Sequence, residues 1–282
     1  MPQTSTEIIE QLEHDAKMNK LELPSLPDII THIQQAINDP KMGANHVAKI
    51  IQMDPALCAR LLSIANSPLY RASLELSDVK QAIQRLGLGV TRSIVTSLVV
   101  HNIFNVTSGK LHQRIRALWQ HSCRVAAISQ VMANITPGIQ PDRAMLAGLL
   151  HDIGILPILV YADQFVEAEL EPALLDEVIE QLRASLGQKV LEKWKLGDDL
   201  ALVPAAVEDW KRDEQDKADY GDVVQIAHIH SQFGNDNSEV PPLSSLPAFN
   251  KLSLAEMGPY AGIELIEQAR DEINATVRLL NG

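Results

Sequence analysis

The chain has 282 residues, a formal net charge of −12 and 46% hydrophobic residues. These values predict one or two globular domains with a sizeable core, on a scale of about 150 residues per domain. The acidic balance and the scattered Lys and Arg argue against binding to phosphate backbones. Aromatic residues make up only 4%, which leaves few stacking platforms for single strands. We therefore expect no nucleic acid partner.

Neither a membrane span nor a signal peptide is evident in the sequence. No uninterrupted apolar run approaches the roughly 18 residues that a span needs, and the N-terminal stretch 1–20 is polar and acidic. Cys58 and Cys123 lie within apolar helical patterns, and we interpret both as small buried side chains in a reducing compartment. The sequence predicts a cytoplasmic protein without membrane contact.

Apolar residues recur at spacings of three and four along most of the chain, which is typical of helices that bury one face. Asp54 and Pro55 predict the N-cap and first residue of one helix. Asp78 and Gly87 predict the two ends of the next, and a further helix is expected over roughly 90–104. Two-residue alternation is absent, so we predict an all-α fold.

Helix ends and loops follow from Asn, Ser, Pro and Gly. Asn66 and the two residues after it predict the end of the helix that starts at Pro55, with local bonds to the backbone. Pro141 is expected to open another helix, and Pro157 to begin the one after a break at Gly154. The stretches 106–110 and 234–247 are expected to be loops.

Three stretches of the first half form a recognisable set: LPSLPDI (23–29), MDPALCARLLSIANSPLY (53–70) and VKQAIQRLGLGVTRSIV (79–95). Taken together, they resemble the HDOD family, a signalling relative of the HD-type metal phosphohydrolases. The resemblance covers roughly residues 20–230 and implies an irregular multi-helix bundle. It implies an N-terminal helical subdomain, 1–108, and an HD-like helical subdomain with a C-terminal helix, 109–282.

The second half carries histidines in an order that resembles the HD superfamily. His121 comes first, His151 and Asp152 are adjacent in AGLLHDIGIL (147–156), and His228 lies in VVQIAHIH (223–230). In that superfamily the corresponding groups hold one or two divalent ions, and imidazole and carboxylate suit such ions. The resemblance implies a site of these four residues for one transition metal ion: zinc, nickel, iron or manganese.

The same segments depart from the hydrolases of that superfamily. His228 stands where they usually have Asp, and Ile155 stands where the active phosphodiesterase branch has Lys. Arg183 occupies a His position, and Trp210 and Lys211 replace a pair of histidines. These departures argue against a two-ion site and against catalysis.

Two alternatives remain open at this point. His151 and Asp152 can form a buried polar network that needs no metal, and Glu208 or Asp209 can supply a further oxygen ligand. His228 and His230 lie about 200° apart on a helix, so only one of them faces a given site, and the register favours His228.

The leading hypothesis is a non-catalytic HDOD-type signal-transduction module that acts through a protein partner, such as a separate sensor or kinase. The alternative is a metal-dependent phosphohydrolase acting on a nucleotide or cyclic dinucleotide. A nucleic-acid regulator is a third hypothesis, and the acidic balance of the chain argues against it.

Overall fold

A computed structural model describes residues 4–18, 20–39, 42–70, 75–105, 111–163, 172–232, 241–258 and 260–281. Within these ranges the regular structure is helical and contains no strand, which confirms the predicted all-α class. In chain order, the α-helices are α1 Ser5–Lys17, α2 Asp28–Asn38, α3 Ala44–Gln52, α4 Pro55–Ala65, α5 Val79–Leu86, α6 Leu88–Asn105, α7 His112–Asn134, α8 Pro141–Leu150, α9 Ile155–Asp163, α10 Pro172–Trp194, α11 Asp198–Ala201, α12 Val203–Glu208, α13 Tyr220–Ser231, α14 Pro247–Lys251, α15 Leu254–Met257, α16 Ala261–Gln268 and α17 Arg270–Asn281.

Side-chain caps start the helices of the first half where the sequence predicts them. The carboxylate of Asp54 accepts hydrogen bonds from the backbone N–H groups of Ala56 and Leu57, and Asp78 accepts one from Gln81. These bonds satisfy N–H groups that have no partner within the helix. Gly87 has φ +80° and joins α5 to α6 at a bend of 115°, a conformation that favours glycine.

Asn66 ends α4 as predicted, but its side chain does not bond locally. Its amide nitrogen donates to the carbonyl oxygen of Leu76 at 2.7 Å, and its amide oxygen accepts from the N–H of Leu76 at 2.8 Å. This pair of bonds holds two backbone positions ten residues apart in sequence. The local expectation was wrong because a backbone segment distant in sequence offers both partners of the amide.

Two predicted boundaries are wrong by a few residues. α9 begins at Ile155, not at Pro157, because the turn after α8 continues directly into it, with the N–H of Ile155 bonded to the carbonyl of Asp152. A proline is tolerated in a first turn, where N–H groups lack helical partners. The predicted loop 234–247 contains a 3-10 turn, Leu243–Ser245, and its last residue begins α14. The predicted loop 106–110 and residues 234–240 of the second predicted loop lie outside the described residues.

The buried side chains form two hydrophobic cores. The first core is built from α2 to α6 and includes Ile33, Ile51 and Leu61. The second is built from α7 onwards, and α1 joins it through Leu12. α6 contributes to both cores, since Val95 lies in the first and Phe104 in the second. The division near residue 108 stays a prediction.

Among the described residues, the stretch Pro141–Asp163 is long enough to cross a membrane by length and mean hydropathy, 1.8. It is not an uninterrupted apolar run, since His151 and Asp152 lie within it. Of its apolar window, 83% is buried inside the structure, as in the central helix of a folded core. The cytoplasmic location stays a prediction.

α7 and α8 pack closely where Gly148 faces Ala126. A Cβ atom at Gly148 would lie 2.8 Å from the Cα of Ala126, closer than ordinary contact. Glycine at this point lets the two helix backbones approach each other. The close approach sets the separation of His121 on α7 from His151, which directly follows α8.

Candidate metal centre

Four side chains from separate parts of the second core point their ligand atoms at one another. They are His121 on α7, His151 and Asp152 in the turn after α8, and His228 on α13, and their ligand atoms lie within 4.8 Å of each other. The structure thus brings together all four residues that the sequence singles out. These residues can hold a metal ion; that they do so stays a prediction.

Neighbouring donor atoms in the group lie close enough together to share one ion. Nδ1 of His228 lies 3.1 Å from Nε2 of His151 and 3.3 Å from Nε2 of His121. Oδ2 of Asp152 lies 3.2 Å from Nε2 of His151 and 3.8 Å from Nε2 of His121. Two donor atoms that bind one ion at about 2.0–2.2 Å can lie at most about 4.4 Å apart, and each of these four distances is shorter than that. The four side chains therefore can share a single ion.

A backbone hydrogen bond orients His151. Its Nδ1 lies 2.7 Å from the carbonyl oxygen of Gly148 and donates to it, and the imidazole is fully buried. A proton held on Nδ1 leaves the lone pair of Nε2 free toward the centre. This is the usual orientation of a metal-binding histidine.

The side chain of Gln232 contacts the ring nitrogen of His228 that points away from the centre. Its amide nitrogen lies 2.8 Å from Nε2 of His228 and can donate to it. Turning the amide over would instead place its oxygen there, where it would accept the proton of Nε2 when Nδ1 binds an ion. Sequence reasoning missed Gln232, although its position four residues after His228 is a signal. His230 packs against Gly262 instead, where a Cβ atom would lie 2.1 Å from its Nε2, so His228 is the histidine of α13 that lies with the other three side chains.

Asp152 has a second neighbour, Arg183 on α10. Nη1 of Arg183 lies 3.8 Å from Oδ1 of Asp152, and Nη2 donates to Oε2 of Glu208 at 2.7 Å. Glu208 is therefore engaged by a guanidinium and lies outside the group of four. Asp209 accepts a hydrogen bond from the backbone N–H of Lys211. Neither acid lies among the four grouped side chains, and a further oxygen ligand from either stays a prediction.

Burial and charge act differently on the four titratable groups. Burial, with the neighbouring His151, lowers the pKa of His121 to about 4 and that of His228 to about 3. Burial also lowers the pKa of His151, but the adjacent carboxylate outweighs it and the pKa lies above the ordinary value. Burial raises the pKa of Asp152, and His151 reverses this and holds it well below its usual range. Two imidazoles thus stay neutral beside an ionised carboxylate, as ligands must.

We expect the His228→Asn variant to lose less stability than the wild type when the metal-free protein is taken from pH 7 to pH 5. The unfolded chain protonates His228 near the ordinary pKa of 6.5, whereas the folded ring, with a pKa of about 3, stays neutral. Stability decreases as the pH is lowered wherever the unfolded state binds more protons, here by roughly 1–2 kcal/mol between pH 7 and pH 5. The raised pKa of His151 has the opposite effect on the pH dependence of stability. The folded state binds this proton more tightly than the unfolded state, so protonated His151 stabilises the fold below pH 6.5.

Urea unfolding in the presence of a chelator at both pH values checks this expectation. His32→Asn, at an exposed position on α2, is the matched control and should follow the wild type. Equal losses in the wild type and in His228→Asn would contradict the expectation.

Comparisons with known proteins agree with this fold. The family model of the HDOD domain matches residues 23–209. An uncharacterized protein from Treponema pallidum (strain Nichols) is 24% identical over 189 residues, which are 62% of this chain and 35% of that protein. The chain thus spans only about a third of the length of this curated relative.

Solved structures resemble the chain at 24% identity or less, a level that shows the fold alone. A protein from Shewanella amazonensis SB2B, provisionally named a metal-dependent phosphohydrolase, has a TM-score of 0.82 at 24% identity, with 98% of this chain and 99% of that chain covered. An HDOD domain protein of unknown function from Geobacter sulfurreducens has a TM-score of 0.72 at 23% identity, with 98% and 99% covered. A protein from Marinobacter aquaeolei VT8, provisionally named a signal transduction protein, has a TM-score of 0.61 at 18% identity, with 94% and 61% covered. With the family model matching more than half of its residues, the chain belongs to the HDOD family.

Proposed function

We propose that the chain is a signal-transduction module that holds one metal ion for structure, and that it acts by contact with a protein partner. The observation that carries this proposal is the set of four protein donor atoms that lie within 4.8 Å of one another. Structural sites are closed by four protein ligands, whereas catalytic sites keep one position open for water or substrate. Three imidazoles and one carboxylate suit zinc, nickel, iron or manganese.

The position of the centre supports a structural role. Its ligands come from α7, from the turn after α8 and from α13, three segments that surround the second core. An ion held there would join helices that are distant in sequence. The proposal includes a signalling protein as partner, because a signalling module without chemistry of its own acts by contact with another molecule.

The absence of turnover is the direct test of this function. We expect metal-loaded protein to hydrolyse nitrophenyl phosphate esters, nucleotides and cyclic dinucleotides no faster than a His151→Ala/Asp152→Ala double variant. Loading with manganese, iron, zinc and nickel is tested in turn, and bound metal is measured in each sample. Turnover by the loaded wild type that disappears in the double variant would contradict the proposal.

One observation favours a second candidate, a metal-dependent phosphohydrolase. The side chain of His121 is 27% exposed, so solvent reaches the centre from the side of α7. A bound ion would there supply activation of a water molecule. The same assay decides between the candidates, since only this one predicts turnover that depends on His151 and Asp152.

A further inference from the structure

The guanidinium of Arg183 lies between two carboxylates of different exposure. Its Nη1 is 3.8 Å from Oδ1 of Asp152, and its Nη2 is 2.7 Å from Oε2 of Glu208. The side chain of Asp152 is 8% exposed and that of Glu208 is 35% exposed. One cationic group thus connects the acid of the candidate centre to an acid at the end of α12.

Asp152 faces a cationic position with each of its oxygens. Oδ2 points to His121 and His151, where the single ion would lie, and Oδ1 points to Arg183. In two-ion sites the ions lie about 3.5–4 Å apart and act together on one substrate. The guanidinium lies on the Oδ1 side of Asp152, between Asp152 and Glu208. A second ion on that side would have both carboxylates as neighbours.

Close helix packing fixes the position of Arg183. A Cβ atom at Gly154, two residues after Asp152, would lie 2.0 Å from the carbonyl oxygen of Arg183 and 2.4 Å from the amide nitrogen of Gly187. The backbone of α10 therefore lies directly against the turn that carries His151 and Asp152. This contact holds the backbone of Arg183, and the hydrogen bond to Glu208 holds its guanidinium.

We propose that Arg183, held by Glu208, restricts the centre to one ion by filling the position of a second cation. A guanidinium keeps its charge at physiological pH and has no lone pair to offer a metal. It hydrogen-bonds to Glu208, lies at ion-pair distance from Asp152 and repels another cation from both carboxylates. The inference rests on the proposed single-ion centre and identifies a residue that sets the number of ions.

The test compares the number of Mn²⁺ ions bound by the wild type and by Arg183→His. In that variant an imidazole would face Asp152 and Glu208 without a fixed positive charge. Equilibrium dialysis should give one ion for the wild type, two for Arg183→His and one for Arg183→His/Glu208→Gln. Electron paramagnetic resonance should show a coupled manganese pair in Arg183→His alone. Arg114→His, which removes a guanidinium paired with Asp176, is the matched control and should bind one ion.

Two ions in the wild type, or one ion in folded Arg183→His, would overturn the inference. If circular dichroism shows that Arg183→His does not fold, Arg183→Gln serves instead, with an expected gain of at least about tenfold in affinity for the second ion. An unchanged affinity in that variant would also overturn it. If neither the wild type nor the variant binds an ion, the proposed single-ion centre is wrong as well. If each binds one ion, only the inference about Arg183 is wrong.

Discussion

Replacing Gly154 by alanine is expected to lower the free energy of unfolding by about 3 kcal/mol. The added Cβ would lie 2.0 Å from the carbonyl oxygen of Arg183 and 2.4 Å from the amide nitrogen of Gly187, and both atoms belong to the backbone of α10. Backbone cannot yield as a flexible side chain does, so the turn and α10 must separate. Urea unfolding followed by circular dichroism measures the loss.

Gly89→Ala is the matched control for this substitution. Gly89 lies in α6, and a Cβ atom there would meet nothing within 4 Å. Alanine favours helix over glycine by up to about 1 kcal/mol, so this variant should be as stable as the wild type or more stable. A Gly154→Ala variant as stable as the control would show that α10 does not depend on the close contact.

Replacing His151 by alanine is expected to weaken zinc binding by more than about 100-fold. The change removes one of four donor atoms, and losing even a supporting residue behind a ligand costs about 10–100-fold. It also leaves the buried carboxylate of Asp152 without its nearest imidazole, 3.2 Å away. Competition against a metal-binding dye gives the affinity, and circular dichroism shows whether the variant folds.

His230→Ala provides the comparison for this variant. It removes another buried imidazole of the second core, on the same helix as His228, but one that packs against Gly262 outside the group of four. Its affinity for zinc should equal that of the wild type. Equal losses in His151→Ala and His230→Ala would show that folding, and not coordination, governs the binding.

Sequence order predicted which residues meet in the candidate centre, and helix register chose between two neighbouring histidines. His228 and His230 differ by about 200° around α13, and the packing of His230 against Gly262 agrees with that difference. The pairing of Arg183 with Glu208 could not be predicted, because the two residues lie on different helices, α10 and α12, 25 residues apart in sequence. Residue spacing within one helix gives no information about such a contact.

Local capping chemistry predicted helix ends well wherever the partners were near in sequence. Asp54 and Gly87 act within their own helices, so their roles follow from a few residues on either side. Asn66 bonds to a backbone ten residues away, and α1 joins the second core through Leu12, far from its neighbours in sequence. Contacts of this kind depend on tertiary packing, which periodicity does not reveal.

Anomalous diffraction from crystals of the zinc-loaded protein tests the central claim most directly. We predict a single peak about 2.0–2.2 Å from Nε2 of His121, Nε2 of His151, Oδ2 of Asp152 and Nδ1 of His228. Absence of a peak among these atoms, or a second peak beside Oδ1 of Asp152, would contradict a closed site for one ion.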